Sequence, residues 1–315
     1  MERRNQSVVT EFILLGLTNS HENEIILFGV FSIIYLSTLL GNMLIIVTVS
    51  LFSYFNTPMY FFLRSLSLLD ICFTSTIVPK MLVNFLVQVK TISFFGCVAQ
   101  LYCFIALGGV ECLLLAVMAY DRYVAICKPL HYTAIMSRRV CVLLTAAVWA
   151  LACLNSLAHT VFTFRLPFCR SNQINHFFCD IPPMLELACA DTHINEIVVY
   201  SSGGSVIIGS FLFTLLSYFY IISAIIKIRS SDGRLKAFST CASHLTVVSM
   251  FNGTIIFTYI RPTSTYSLDQ DRVIPVFYGI VTPLLNPIIY SLRNKEIHRA
   301  LRRMIGKEKV TQQGP

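Results

Sequence analysis

The third of seven long apolar stretches ends in Met118-Ala119-Tyr120-Asp121-Arg122-Tyr123-Val124-Ala125-Ile126-Cys127, so two opposite charges stand side by side where a helix would leave hydrocarbon. An unpaired ion there is expensive, so an ion pair between Asp121 and Arg122 is the expected resting arrangement, and Arg122 becomes a contact that can be switched. Two further carboxylates lie deep. At about 1.5 Å per residue, Asp70 is ~18 Å along its helix from Pro58, and Glu111 sits near the middle of the third stretch. Acids near a membrane midplane are functional by default, able to hold a cation, share a proton or relay one. Elsewhere the chemistry is thin. His176-Phe177-Phe178-Cys179-Asp180 has ligand-like spacing, but Cys241-x-x-His244 lacks a second ligand pair and fits helix packing. No zinc-protease, nucleophile-elbow, phosphate-loop or dinucleotide motif occurs, so no enzyme activity and no metal centre are expected.

The elements that must position these residues are dictated by composition. Hydrophobic residues make up 55% of the 315, charged residues 13%, and mean hydropathy is +0.69, too little polar surface for a soluble protein of this size. Windows near 25–51, 58–86, 95–127, 139–161, 196–228, 237–260 and 271–292 are long and apolar enough to cross a bilayer as helices. The expected fold is therefore an all-α membrane protein, a bundle of seven transmembrane helices. Residues 1–24 precede the 25–292 bundle, and residues 293–315 form a tail. In that tail Ile297, Ala300, Leu301, Met304 and Ile305 repeat at helical spacing between Lys295, Arg299, Arg302 and Arg303, which predicts a short amphipathic helix lying in the interface.

An odd number of crossings puts the termini on opposite sides. Basic residues gather in one set of connections, Lys128, Arg138, Arg139, Lys227, Arg234, Lys236 and the tail among them. By the positive-inside rule the carboxy terminus is cytoplasmic and the amino terminus extracellular, in a multi-pass plasma-membrane protein. The net charge of +8 then reflects topology and attraction to anionic lipid, with no basic-aromatic module for nucleic acid. The first residues lack the pattern of a cleavable signal peptide, so the first helix is expected to direct insertion. Asn5-Gln6-Ser7 is a glycosylation sequon on the expected outer side, whereas Asn252-Gly253-Thr254 falls inside the sixth helix. Of the eleven cysteines, Cys97, Cys169, Cys179 and Cys189 fall in oxidising space, and sequence alone allows three pairings of them.

Four motifs in order carry a resemblance: Pro58-Met59-Tyr60-Phe61-Phe62-Leu63, the Met118–Cys127 run with Lys128-Pro129-Leu130-His131-Tyr132, Lys236-Ala237-Phe238-Ser239-Thr240-Cys241-Ala242-Ser243-His244, and Pro283-Leu284-Leu285-Asn286-Pro287-Ile288-Ile289-Tyr290. Together they resemble the signature set of olfactory receptors of the tetrapod type, a branch of the rhodopsin-like G-protein-coupled receptors. The resemblance implies a receptor for a small volatile odorant that activates a stimulatory, olfactory-type G protein and raises cyclic AMP. It also implies the disulfides Cys97–Cys179 and Cys169–Cys189. Arg122, with Asp121 and Tyr123, would face the G protein, and Tyr218, His244 and Tyr290 would be the polar partners that rearrange on activation. Asp70 and Glu111 resemble an internal sodium site with Asn42 and Asn286 beside it, a sodium ion being the only cofactor implied.

Counting from Arg122 up the third helix puts Phe104, Ile105, Gly108, Gly109 and Cys112 on one interior side, where two glycines leave room. Ser202, Val206, Asn252, Ile255, Ile256 and Tyr259 resemble the family's other pocket positions. The lining suits an uncharged, largely apolar ligand. Asn252 departs from the aromatic residue many members carry and predicts a more polar floor. An amine or carboxylate is expected only if it reaches Asp180 or Arg261 at the mouth. The only tryptophan is Trp149, so the sixth-helix tryptophan switch of the wider group is absent. The other readings are a transporter or channel conducting through Asp70 and Glu111, and a receptor of this fold serving a tissue other than the olfactory one.

Overall fold

Each apolar stretch of the sequence becomes a helix because a chain in hydrocarbon must satisfy its own backbone groups. The computed structural model describes residues 9–18, 20–169, 171–227, 230–259, 268–292 and 295–304. Helix α1 is His21–Leu51, α2 Pro58–Leu86, α3 Phe94–Cys127 and α4 Arg138–Phe164. Start signals are local: Pro58 at the first turn of α2, Ser93 accepting from the Gly96 amide before α3, and Ser137 accepting from Val140 before α4. Helix α5 runs His193–Ile226 and α6 runs Ser231–Tyr259. Helix α7 is built from Leu268–Val276, a π-helical turn Phe277–Val281, and Thr282–Leu292. The amphipathic helix of the tail is α8, Lys295–Met304.

Among the described residues, α1 to α5 and the Arg272–Tyr290 part of α7 are long and apolar enough to cross a membrane. Helix α6 carries Asp232, Arg234 and Lys236 near its start and is less apolar. The chain is thus a multi-pass membrane protein with a seven-helix bundle. Helix α3 lies at the centre, packed against α2, α4, α5 and α6. Phe62, Phe73, Leu115, Val247 and Phe251 form the middle of the core. Outward faces are apolar as well: Ile33, Leu40, Leu154, Leu216 and Phe219 are exposed, as a hydrocarbon solvent requires. Helices α1 and α7 approach closely at Gly41, where an added Cβ would stand 3.1 Å from Pro287 Cγ.

One feature was not anticipated. The segment before α1 holds a strand: β1, Glu11–Leu14, pairs antiparallel with β2, Thr91–Ser93, and parallel with β3, Gln173–Ile174. Phe12 and Leu14 point inward and are fully buried, so an alternation too short to stand out seals one end of the bundle. Gly16, with φ of +78°, turns the chain out of β1 beside Lys90. At this capped end Cys97 pairs with Cys179 and Cys169 with Cys189. At the opposite end Ile297 and Ala300 of α8 are buried against Ile45, Phe55 and Leu63, and Tyr60 donates to Glu296 at 2.6 Å. Asn5, Arg261 and Ile305, named from the sequence, lie outside the described residues.

Candidate functional site

Beneath the cap, the bundle holds a cavity with about 80 Å³ open to the centre of a water-sized sphere, room for roughly five waters or a small organic molecule. Phe104, Ile105, Gly108, Gly109 and Cys112 of α3, Val206 of α5, and Ile255 and Tyr259 of α6 border it. The glycines act differently. A side chain at Gly108 would meet only Phe73, at 3.7 Å, whereas one at Gly109 would press on Ala152 Cβ at 3.3 Å, so the second glycine admits α4.

Three expected residues are not on this wall. Ser202 lies in a π-helical turn, Val199–Gly203, whose extra residue rotates the face of α5. Val199, Gly203 and Ile207 line the space in its place. The Ser202 hydroxyl is spent on the Val198 carbonyl at 2.9 Å and the His159 ring at 3.2 Å. Asn252 is buried, and its amide folds back onto the Val248 carbonyl at 3.3 Å, so the floor is less polar than expected. Ile256 is half-buried beside Ile255 without reaching the cavity. The sequence reading missed Phe73, Asn155, His159, Ile181 and Tyr278. Asn155 and His159 were legible as an amide and an imidazole four apart in a largely apolar helix, hence on one face. Tyr278 belongs to the other π turn, for which no sequence signal was evident.

The roof comes from the loop between α4 and α5. Phe178 meets Phe104 at 4.6 Å between ring centroids. Asp180 caps the short helix Ile181–Glu186 by accepting from the Ile181 amide at 2.8 Å, and accepts from Tyr259 through both oxygens, at 2.9 and 2.8 Å. Burial lifts the Asp180 carboxyl to about 6, with the Tyr259 and Ile181 donors restraining the rise. Ile181, Val199 and Tyr259 also border a wider hollow of about 230 Å³ toward the capped end, edged by Glu186 and Glu196. Cys179 is committed to its disulfide, so it is not a free thiolate beside His176, which packs on Phe177 and Phe178.

At mid-depth, Asn286 donates to both oxygens of Asp70, at 3.0 and 3.1 Å, and Asp70 is fully buried. Glu111 is also fully buried, within electrostatic range of Asp70 and beside the Asn286 amide. Asn42 does not join them through a hydrogen bond. Its amide bridges the Thr38 and Pro283 carbonyls at 3.0 and 3.1 Å, tying α1 to α7.

At the end away from the cap the expected ion pair is replaced. Consecutive helical residues point about 100° apart, and no ion pair joins Asp121 to Arg122 among the described residues. Asp121 instead accepts from Tyr132 at 2.8 Å, a residue of the short helix Tyr132–Ile135. Arg122 lies within electrostatic range of Tyr218, His244 and Tyr290. Tyr218 and His244 bond at 2.8 Å with stacked rings, joining α5 to α6. Lys128 lies over the Tyr123 ring, 5.9 Å from its centroid.

A family profile described as olfactory receptor matches residues 31–308. The chain is 50% identical to Olfactory receptor 5AR1 of Mus musculus over 98% of its own length and 99% of that protein's. It is 52% identical to Olfactory receptor 5G3 of Homo sapiens, covering 98% of each. Among solved structures, squid rhodopsin superposes with a TM-score of 0.69 at 16% identity, covering 91% of this chain and 86% of that one, a likeness of fold.

Proposed function

The chain belongs to the olfactory receptor family, and on that premise we propose that it binds a small, largely apolar volatile in the cavity under the cap and activates a stimulatory, olfactory-type G protein, raising cyclic AMP. The observation that carries this reading is the cavity itself, nearly all apolar and bordered by α3, α5 and α6 together, a setting in which apolar burial supplies the affinity. The clustering of basic residues at the end away from the cap supports an orientation with the cap outside and Arg122 facing the cytoplasm. Helix α8 and the connection between α5 and α6 then edge the G-protein surface, next to lipid.

Ligand binding tightens contacts between α3, α5 and α6 near Phe104 and Tyr259. Outward movement of α6 would stretch the Tyr218–His244 bond and free Arg122 to meet the G protein. Asp70, Asn286 and Glu111 form a buried polar centre between these two levels, suited to a sodium ion or a shared proton. The test is a broad volatile panel applied to cells expressing the full chain, read as cyclic AMP. A Gly108→Leu variant, which fills the cavity, is expected to lose the responses at unchanged surface level. Retained responses in that variant would place the ligand elsewhere, and current or uptake without a G protein would favour a conducting role for Asp70 and Glu111.

A further inference from the structure

Arg64 stands on the outward side of α2, exposed in a row with Leu68 and Cys72, both exposed as well. Residues four apart share a helix face, and the packed face is the opposite one, where Phe62, Leu66, Leu69 and Phe73 enter the core. Helix α2 has 29 residues and is about 42 Å long, against a hydrocarbon layer of about 30 Å. With the excess shared between its ends, hydrocarbon begins about 6 Å beyond Pro58, near Phe62, so the Arg64 backbone lies ~3 Å inside. Tyr60, bonded to Glu296 of the interfacial helix α8, marks the same level independently.

A helical side chain leans toward the N-terminus of its helix. The Arg64 guanidinium does so: its carbon lies 6.0 Å from the ring centroid of Phe61, about one turn nearer the headgroups. Among the described residues no carboxylate pairs with it, and the neighbouring Ser65 hydroxyl is spent on the Phe61 carbonyl at 3.0 Å. A charge with a fork of N–H donors is thus left without an acceptor at the edge of hydrocarbon, where an unpaired ion is expensive.

We propose that Arg64 holds the phosphate of an anionic inner-leaflet phospholipid such as phosphatidylserine, with an acyl chain lying along Leu68 and Cys72. The planar guanidinium matches two phosphate oxygens at once, which a lysine cannot do. A zwitterionic lipid carries its own cation beside the phosphate, whereas an anionic one brings net negative charge to an end of the bundle that also carries Arg138, Arg139, Arg302 and Arg303. This inference rests on the orientation with the cap outside, which puts the start of α2 in the inner leaflet.

The test is native mass spectrometry of the full chain released from nanodiscs of phosphatidylserine and phosphatidylcholine in equal amounts, with Arg64→Ala, Arg64→Lys and Arg138→Ala measured alongside. The wild type is expected to retain phosphatidylserine over phosphatidylcholine, and Arg64→Ala to retain one phosphatidylserine fewer. Arg64→Lys keeps the charge without the fork and should release that lipid at lower collision energy. Arg138→Ala, which removes an exposed charge at the start of α4, should keep the wild-type count. An unchanged count in Arg64→Ala overturns the inference, as does equal retention of the two lipids by the wild type. An equal loss in Arg138→Ala would reduce the effect to general charge attraction and overturn it too. Should Arg64→Ala not fold, an Arg64→Lys variant that holds the lipid as firmly as the wild type overturns the forked contact.

Discussion

One hydroxyl, that of Tyr259, holds both carboxyl oxygens of Asp180, at 2.9 and 2.8 Å, and so fastens the roof helix to α6. Oδ1 also receives the Ile181 amide, yet burial dominates and raises the carboxyl from 3.8 to about 6. The folded chain therefore holds this proton more tightly than the unfolded chain. The associated stability is present below about pH 4 and is lost as pH rises through about 6, after which it stays constant. The unfolding temperature of the solubilised receptor should be higher at about pH 5 than at about pH 7, and Asp180→Asn should flatten that difference. Parallel profiles for the two proteins would show that Asp180 does not titrate in this window.

Tyr132 is the donor that holds Asp121 at 2.8 Å, and the carboxylate is almost fully buried. Tyr132→Phe leaves that acceptor unsatisfied, a cost of about 1–3 kcal/mol. Lower thermal stability and raised ligand-independent cyclic AMP are expected in that variant. Arg122→Ala should reach the surface and give no second messenger. Normal signalling from Arg122→Ala would remove the arginine from the mechanism.

The Asp70–Asn286 contact joins α2 to α7 at mid-depth. Asn286→Ala strands a buried carboxyl and should lower stability by about 1–3 kcal/mol. Exchanging the pair, Asp70→Asn with Asn286→Asp, restores a donor opposite an acceptor and should recover most of the loss, measured as unfolding temperature. Absence of recovery would mean that the two positions depend on different surroundings.

Gly41 is where α1 meets the Pro287 ring, with a Cβ position 3.1 Å from Cγ and 3.3 Å from Cβ of that proline. Gly41→Val overfills this contact, for about 1–3 kcal/mol of destabilisation. Reduced surface delivery is the expected readout. Full delivery with unchanged unfolding would show that α1 shifts freely.

The helices were legible because hydrocarbon imposes one solution on an apolar run, and most of the α3 wall was legible because a helix repeats its face. Ser202, Asn252 and Ile256 were misplaced for local reasons. A π turn rotates α5, and the Asn252 amide N–H turns back to the Val248 carbonyl. The pairing of Asp121 went to Tyr132 because adjacency in sequence is not adjacency in space on a helix. Asn155 and His159 were visible as polar exceptions in α4 but needed the fold to show that they meet the cavity. The β1 strand escaped notice because its partners lie 78 to 160 residues away, at Thr91–Ser93 and Gln173–Ile174.

The π turn Val199–Gly203 holds one residue more than ordinary α winding allows. Losing a single codon there would rewind it, turning one flank of α5 by about 100° relative to the other while leaving the rest of the gene in frame. One triplet of DNA can therefore change which side chains of α5 border the cavity while the membrane crossing stays intact.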